Sequence, residues 1–208
     1  MHNAKLLTIF DRAGGREMPL ARVLVQREER RPQGGIPADV ILALRYWVIG
    51  LSSRFPAGEF IASYCAAQGV VSLVSGLSHG SGAVFIDPAY LRGHRLGTYL
   101  MNEVVAWAQQ WPGALVAPVQ LLAPEANDEG AKLRRNRFYE RFGLTFDYED
   151  KSCRSGVSRP ITVRQLMPVT SWKKNVEELK LLDALARHGD VIDDMQRQIE
   201  SKNGILKK

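Results

Sequence analysis

Ala83-Val84-Phe85-Ile86, then Asp87-Pro88, then Ala89-Tyr90-Leu91-Arg92-Gly93-His94-Arg95-Leu96-Gly97 is the stretch that decides how this chain folds. Its first four residues read as a short apolar strand. The strand cannot run through Pro88, which has no N–H to give a ladder. From Leu96 onward, apolar residues recur at a spacing of four: Leu96, Leu100, Val104 and Ala108, with Val105 and Trp107 beside them. That is the stripe of an amphipathic helix packed on a sheet, and it continues to about Trp111. The order is therefore strand, turn, helix, with glycines and cations gathered where the helix begins.

A helix start leaves backbone N–H groups without partners and carries the positive end of the macrodipole. Glycines allow close approach of a ligand to the backbone. Arg92, His94 and Arg95 add side-chain donors. Together these describe a phosphate site. The bland alternative is a basic helix start capped by water. The flanking strand, the proline stop and the long helix weigh against it.

These residues resemble motif A of the GCN5-related N-acetyltransferase (GNAT) superfamily, in which a strand ending V-x-P-x-Y-x-R-G-x-G-x-G leads into a helix. The match is Ile86 to Gly97, and Arg95 stands where the family usually has its middle glycine. Arg95 could narrow the turn or contact phosphate directly. The resemblance implies that acetyl-CoA is held by Phe85, Ile86, Arg92, Gly93, His94, Arg95, Leu96, Gly97 and Thr98, together with Asn127 further on. A second segment, Asn136-Arg137-Phe138-Tyr139-Glu140-Arg141-Phe142-Gly143-Leu144, is similar to motif B of the same family, commonly F-Y-E-x-x-G-F. Leu144 replaces the usual Phe, and Asn127 lies further from Tyr139 than the family spacing. By resemblance Tyr139 is the catalytic acid that protonates the departing thiolate. The competing reading is an aromatic packed under the sheet. For the base that deprotonates the amine, Glu59, Asp87 and Glu125 are the candidates. The two motifs in this order cover about Phe60 to Pro168 and are more specific together than either alone.

The fold class expected is α/β, an α+β mixed sheet of the GNAT type. The GNAT-like domain spans residues 1–168, and a C-terminal helical extension residues 169–208. Ahead of motif A, Arg22 to Gln26 reads as a strand, Arg27 to Pro32 as a charged turn or edge, and Leu6 to Phe10 as a strand or helix. The run Ala38 to Phe55 fits either. Phe60 to Tyr64 and Val70 to Gly76 read as strands, with Ser75 to Gly82 as a loop. The family order also needs a helical pair before these strands, which the sequence does not place.

After motif A, Ala114 to Ala123 reads as one strand with Pro118 at a bulge or free edge. Glu125 to Asp128 supplies caps for a helix over about Glu129 to Phe142, which ends at Gly143. Its basic face carries Lys132, Arg134, Arg135, Arg137 and Arg141 beside an apolar face that includes Leu133. Thr145 to Glu149 and Pro160 to Leu166 read as strands joined by the loop Ser152 to Ser158. In the tail, Trp172, Val176, Leu179, Leu182 and Leu185, then Val191, Ile192, Met195 and Ile199, suggest two helices. These could cover the domain, dimerise or bind a partner.

The chain has 208 residues, 45% hydrophobic and 24% charged, ordinary values for a globular protein. A net charge of +6 suits an anionic ligand such as CoA and equally suits nucleic acid. Cys65 and Cys153 make neither a disulfide framework nor a metal spacing, and the four histidines show no metal pattern. No metal site is expected. Neither cysteine sits suitably for an acyl-enzyme, so direct transfer in a ternary complex is expected. Met1 to Arg12 lacks the apolar core of a secretory leader, and no run is long enough to span a bilayer. A cytoplasmic enzyme without a membrane partner is expected. Three functions are weighed. The first is an acetyl-CoA-dependent N-acetyltransferase acting on a small-molecule or protein amine. The second is a GNAT-fold enzyme acting on nucleic acid or charged tRNA. The third is a non-catalytic interaction protein of the same fold.

Overall fold

The computed structural model describes residues 3–31, 39–51, 56–73, 86–126 and 128–180. Phe85 and Asn127, the strand before Ile86, the loop Ser75 to Gly82 and the second apolar stripe of the tail lie outside the described residues.

Strand alternation builds the first half. β1 (Asn3–Phe10), β2 (Pro19–Arg30), β3 (Val40–Val48) and β4 (Gly58–Cys65) form an antiparallel meander. The ambiguous apolar run after Ala38 is therefore a strand. Of the turn or edge read for the charged segment from Arg27, the turn is not formed: β2 continues to Arg30, where Arg27 to Arg30 pair with Leu44 to Ile41. On one face of this sheet Leu7, Ile9, Val23, Leu42, Leu44, Tyr46, Phe60 and Ala62 are buried. α1 (Leu96–Ala108) covers that face. The stripe read from the sequence is the buried one: Leu96, Leu100, Val104 and Ala108 are all fully buried. Burial of a large aliphatic side chain contributes about 1.5–3 kcal/mol, so this stripe alone anchors the helix.

Short β5 (Val70–Ser72) pairs antiparallel with β4 and parallel with β6 (Leu115–Val116), across the α1 connection. The single strand expected over Ala114 to Ala123 is split. Ala117 N–H still reaches Val71 C=O at 2.8 Å, then Pro118 interrupts the ladder. Val119 N–H donates to Ser158 Oγ at 2.9 Å, and β7 (Gln120–Leu121) joins a second sheet. That sheet has the order β7-β9-β8, with β8 (Phe146–Tyr148) and β9 (Gly156–Ser158). β9 lies in the segment read as a loop. The strand expected over Pro160 to Leu166 is a 3-10 turn at Val163–Gln165, with one bridge between Leu115 and Thr162. Gln165 closes this turn by accepting from Thr162 N–H at 2.8 Å, and both Val163 and Leu166 face inward. α2 (Glu129–Glu140) connects β7 to β8 within this second sheet.

The tail differs most from expectation. Ser171 to Leu179 has helical spacing, but it forms a 3-10 turn, Ser171–Lys174, followed by β10 (Val176–Leu179). β10 pairs antiparallel with β1 and completes the main sheet, order β10-β1-β2-β3-β4-β5-β6. The free edge of β1 outweighs local periodicity here, because pairing satisfies backbone groups and buries Val176. Asn175 pins the entry, its C=O accepting from Phe10 N–H at 2.8 Å. Among the described residues no α-helix precedes α1, so the helical pair of the family order is not found there. None of their helices is long and apolar enough to cross a membrane.

Candidate active site at the start of the first helix

The turn from Ile86 to Leu96 is held from several sides. Tyr46, fully buried on β3, accepts a hydrogen bond from Asp87 N–H at 2.8 Å. Burial pushes its phenol up to about 12, so it stays neutral. Gly58 on β4 makes room for this ring, since a Cβ there would lie 2.5 Å from it. Arg92 folds back, donating from Nε to Ile86 C=O at 2.8 Å and from Nη2 to Asp87 Oδ1 at 2.7 Å. His94 Nδ1 accepts from Arg12 N–H at 3.2 Å, which ties the turn to the β1–β2 connection.

Arg95 is the N-cap of α1, with a φ of 71° in the left-handed region. That conformation explains why a glycine is the usual residue there. Arg95 neither folds over the turn nor lies along it: Nη1 donates to Ser171 C=O. Burial first, then the guanidinium groups of Arg12 and Arg141, holds its pKa below the ordinary value. The charges of Arg12 and Arg141 are therefore felt at Arg95. Arg12 was not found from sequence, because it arrives from a loop more than eighty positions away, with no local signal. Tyr46 was missed for the same reason.

α1 begins without a lid of its own. No side chain caps it, and its first turn holds no acidic residue. Its first amide-to-carbonyl bond runs from Tyr99 N–H to Arg95 C=O, at 3.0 Å. The amides of Leu96, Gly97 and Thr98 thus have no helical acceptor. Leu96 and Thr98 turn their side chains inward, while Gly97 leaves space above the turn. A Cβ on Gly97 would make only ordinary contact, 3.5 Å from Ile86 and 3.7 Å from Phe138. Uncapped amides and a positive helix end are the groups that could hold a phosphate-bearing ligand, with the charges of Arg12 and Arg141 nearby.

Phe138 brings α2 to this helix start. The next residue, Tyr139, is 4% exposed and meets Phe138 and Phe146 edge-on. Burial raises its pKa, Glu125 raises it further and Arg135 opposes them. Arg135 is nearly buried. Its Nη1 donates to Leu122 C=O at 2.6 Å and its Nη2 to Arg154 C=O at 2.7 Å. Lys132 pairs with Glu129 at 2.8 Å and donates to Ser152 C=O. The basic face read from sequence is therefore divided, with Lys132 and Arg135 working inside the fold. Leu133, assigned to the apolar face, is 41% exposed, and the helix buries Asn136 and Tyr139 instead. Among the described residues no group of His, Cys, Asp and Glu could hold a metal.

Residues 45–144 match the model of the acetyltransferase (GNAT) family. No curated protein and no solved structure gives a match.

Proposed function

From the premise that this chain belongs to the GNAT superfamily, we infer that it is an acetyl-CoA-dependent N-acetyltransferase. It passes the acetyl group to a small-molecule or protein amine by direct transfer in a ternary complex. The observation that carries this reading is the uncapped start of α1, with no acid in its first turn and Arg12, Arg95 and Arg141 beside it. A cradle of that kind fits a pyrophosphate and its attached phosphate. The residues that would hold the ligand are the amides of Leu96, Gly97 and Thr98, with Arg12 and Arg141 as charge partners. Acetyl-CoA supplies an acyl group already activated as a thioester.

The chain supplies positioning and protons. Tyr46 and Arg92 fix the turn, so the amides need no rearrangement when an anion arrives. Burial keeps the Tyr139 phenol protonated. A protonated phenol can donate to a thiolate as it departs. The split of the chain at Pro118, between the two sheets, is where an acyl arm could pass beside Tyr139.

The nucleic-acid reading rested on a basic helix face. It is weakened because Lys132 and Arg135 are committed to internal partners. The test is transfer of radiolabelled acetyl groups from acetyl-CoA to a panel of amines, peptides and tRNA. Label appearing in an amine product, and lost with Tyr139→Phe, supports the proposal. Label in tRNA alone, or in nothing while acetyl-CoA still binds, contradicts it.

A further inference from the structure

We propose that Glu125 is the base that takes the proton from the acceptor amine, working as a pair with Tyr139. This rests on the acyltransferase reading above and supplies the group which that reading lacks. Glu59, Asp87 and Glu125 were equal candidates in the sequence, and their surroundings separate them. Glu59 lies 2.6 Å from Arg45 Nε, and the same guanidinium lies 2.7 Å from Glu28. Arg45 alternates with buried Tyr46 on β3, so this ion-paired row sits on the sheet face away from α1. Asp87 is exposed and held at 2.7 Å by Arg92. An acceptor amine would have to displace the guanidinium that already holds each of these carboxylates.

Glu125 is different. It stands in the 3-10 turn that follows β7, with a side chain 13% exposed. Its Oε1 is buried without a hydrogen-bond partner among the described residues, as is Glu59 Oε1, but Glu59 Oε1 has Arg45 Nε at 2.6 Å. The nearest cation is Arg135, with Nη1 3.8 Å from Oε2, and that nitrogen is already donating to Leu122 C=O. A buried acceptor left unmatched needs an explanation, and an incoming N–H donor provides one.

The placement suits the chemistry. Arg135 and Tyr139 stand one helical turn apart on the same face of α2, with Glu125 at its head. Phe138, beside Tyr139, reaches the start of α1 at Gly97. The buried side of α2 therefore links the phosphate cradle to the carboxylate. The charged and titratable groups facing Glu125 are Arg135 and Tyr139, both on α2. Burial raises the pKa of Glu125 above its ordinary value, while Arg135 and the Leu122 amide pull it down.

The step balances. The amine nitrogen bonds to the thioester carbonyl carbon, and the C–S bond breaks. The proton released from nitrogen goes to the Glu125 carboxylate. The thiolate takes the Tyr139 O–H proton and leaves as thiol. Glu125 then returns its proton to the Tyr139 phenolate, and both groups are as they began. No further reactant is needed.

The test uses the full chain with its glutamates carrying carboxyl carbon-13. The resonance missing from Glu125→Gln identifies the group, and its shift is followed against pH. The expected result is titration above the ordinary glutamate value of about 4.3. Titration at or below that value, as for a plain ion pair with Arg135, overturns the proposal. With spermidine and lysine amide as acceptor probes, Glu125→Gln should lower kcat about 100-fold and flatten the acidic limb of the pH profile. Its melting temperature and its affinity for acetyl-CoA should stay close to the parent's. A parent that fails to bind acetyl-CoA sinks the acyltransferase reading itself. A parent that binds it, with a Glu125 that titrates normally, sinks only the base.

Discussion

The two α-helices of the described residues begin in opposite ways. α2 closes its own start: Asp128 is the N-cap, its carboxylate accepts from Ala131 N–H at 2.7 Å, and Glu129 adds a negative charge to the first turn. α1 starts on a left-handed Arg95 with no side-chain cap and no acid in its first turn. A capped start is worth about 1 kcal/mol to a protein, so α1 forgoes stability that α2 takes. The comparison teaches that α1, unlike α2, leaves its first amides without a side-chain partner, as the proposed ligand site requires. The charges of Arg12 and Arg141, felt at Arg95, suit an anion at that start.

The largest effect should come from making α1 resemble α2. Gly97→Glu places a carboxylate in the first turn, where Cβ itself fits without strain. Acetyl-CoA affinity should fall about 100-fold or more, equivalent to about 2.7 kcal/mol. Thermal stability should hold or rise, because an acid near a helix start contributes about 0.3–1 kcal/mol. Calorimetry and a melting curve on the same variant check both signs.

Next in size is a change that leaves both helix starts alone. Tyr139→Phe keeps the aromatic packing against Phe138 and Phe146 and removes only the hydroxyl. Turnover should fall about 100-fold with acetyl-CoA affinity unchanged, as expected for loss of an acid. An affinity that drops instead would mean that Tyr139 serves binding or packing.

A smaller effect sharpens the electrostatic half of the comparison. Arg12→Ala and Arg141→Ala should each weaken acetyl-CoA binding about fivefold at low salt, about 1 kcal/mol. The loss should shrink towards none at 1 M salt, where the screening length is about 3 Å. The smallest effect belongs to the other helix. Asp128→Ala should cost about 1 kcal/mol of stability and leave acetyl-CoA affinity as it was. In a chain of this size that is a fall of about 2–4 °C in melting temperature.

Where the chain's reasons were local, its sequence could be read. The α1 stripe, the turn glycine at Gly93 and the cap at Asp128 each act within a few residues, and each was legible. The left-handed backbone at Arg95 was not, because a glycine is the usual signal for it and none is there. Partners that arrive from distant strands were also hidden: Tyr46 under Asp87, Arg12 beside Arg95, and Gly58 clearing room for Tyr46. The tail misled for a related reason. Trp172, Val176 and Leu179 keep a helical spacing, yet β1 offered an unpaired edge, and ladder hydrogen bonds outweighed the spacing. Pro118 was read as a bulge or free edge within one strand, but the strand ends there, and the sheet the chain joins afterwards depends on Ser158, forty positions later.

The claim at the centre is that the open start of α1 binds the phosphates of acetyl-CoA. Calorimetric titration of the full chain with acetyl-CoA, beside the same titration of Gly97→Glu, tests it most directly. The account predicts micromolar binding to the parent and none to the variant at the same concentrations, with both proteins folded. Binding that survives in Gly97→Glu, or a parent that takes up no acetyl-CoA at millimolar concentration, would contradict it.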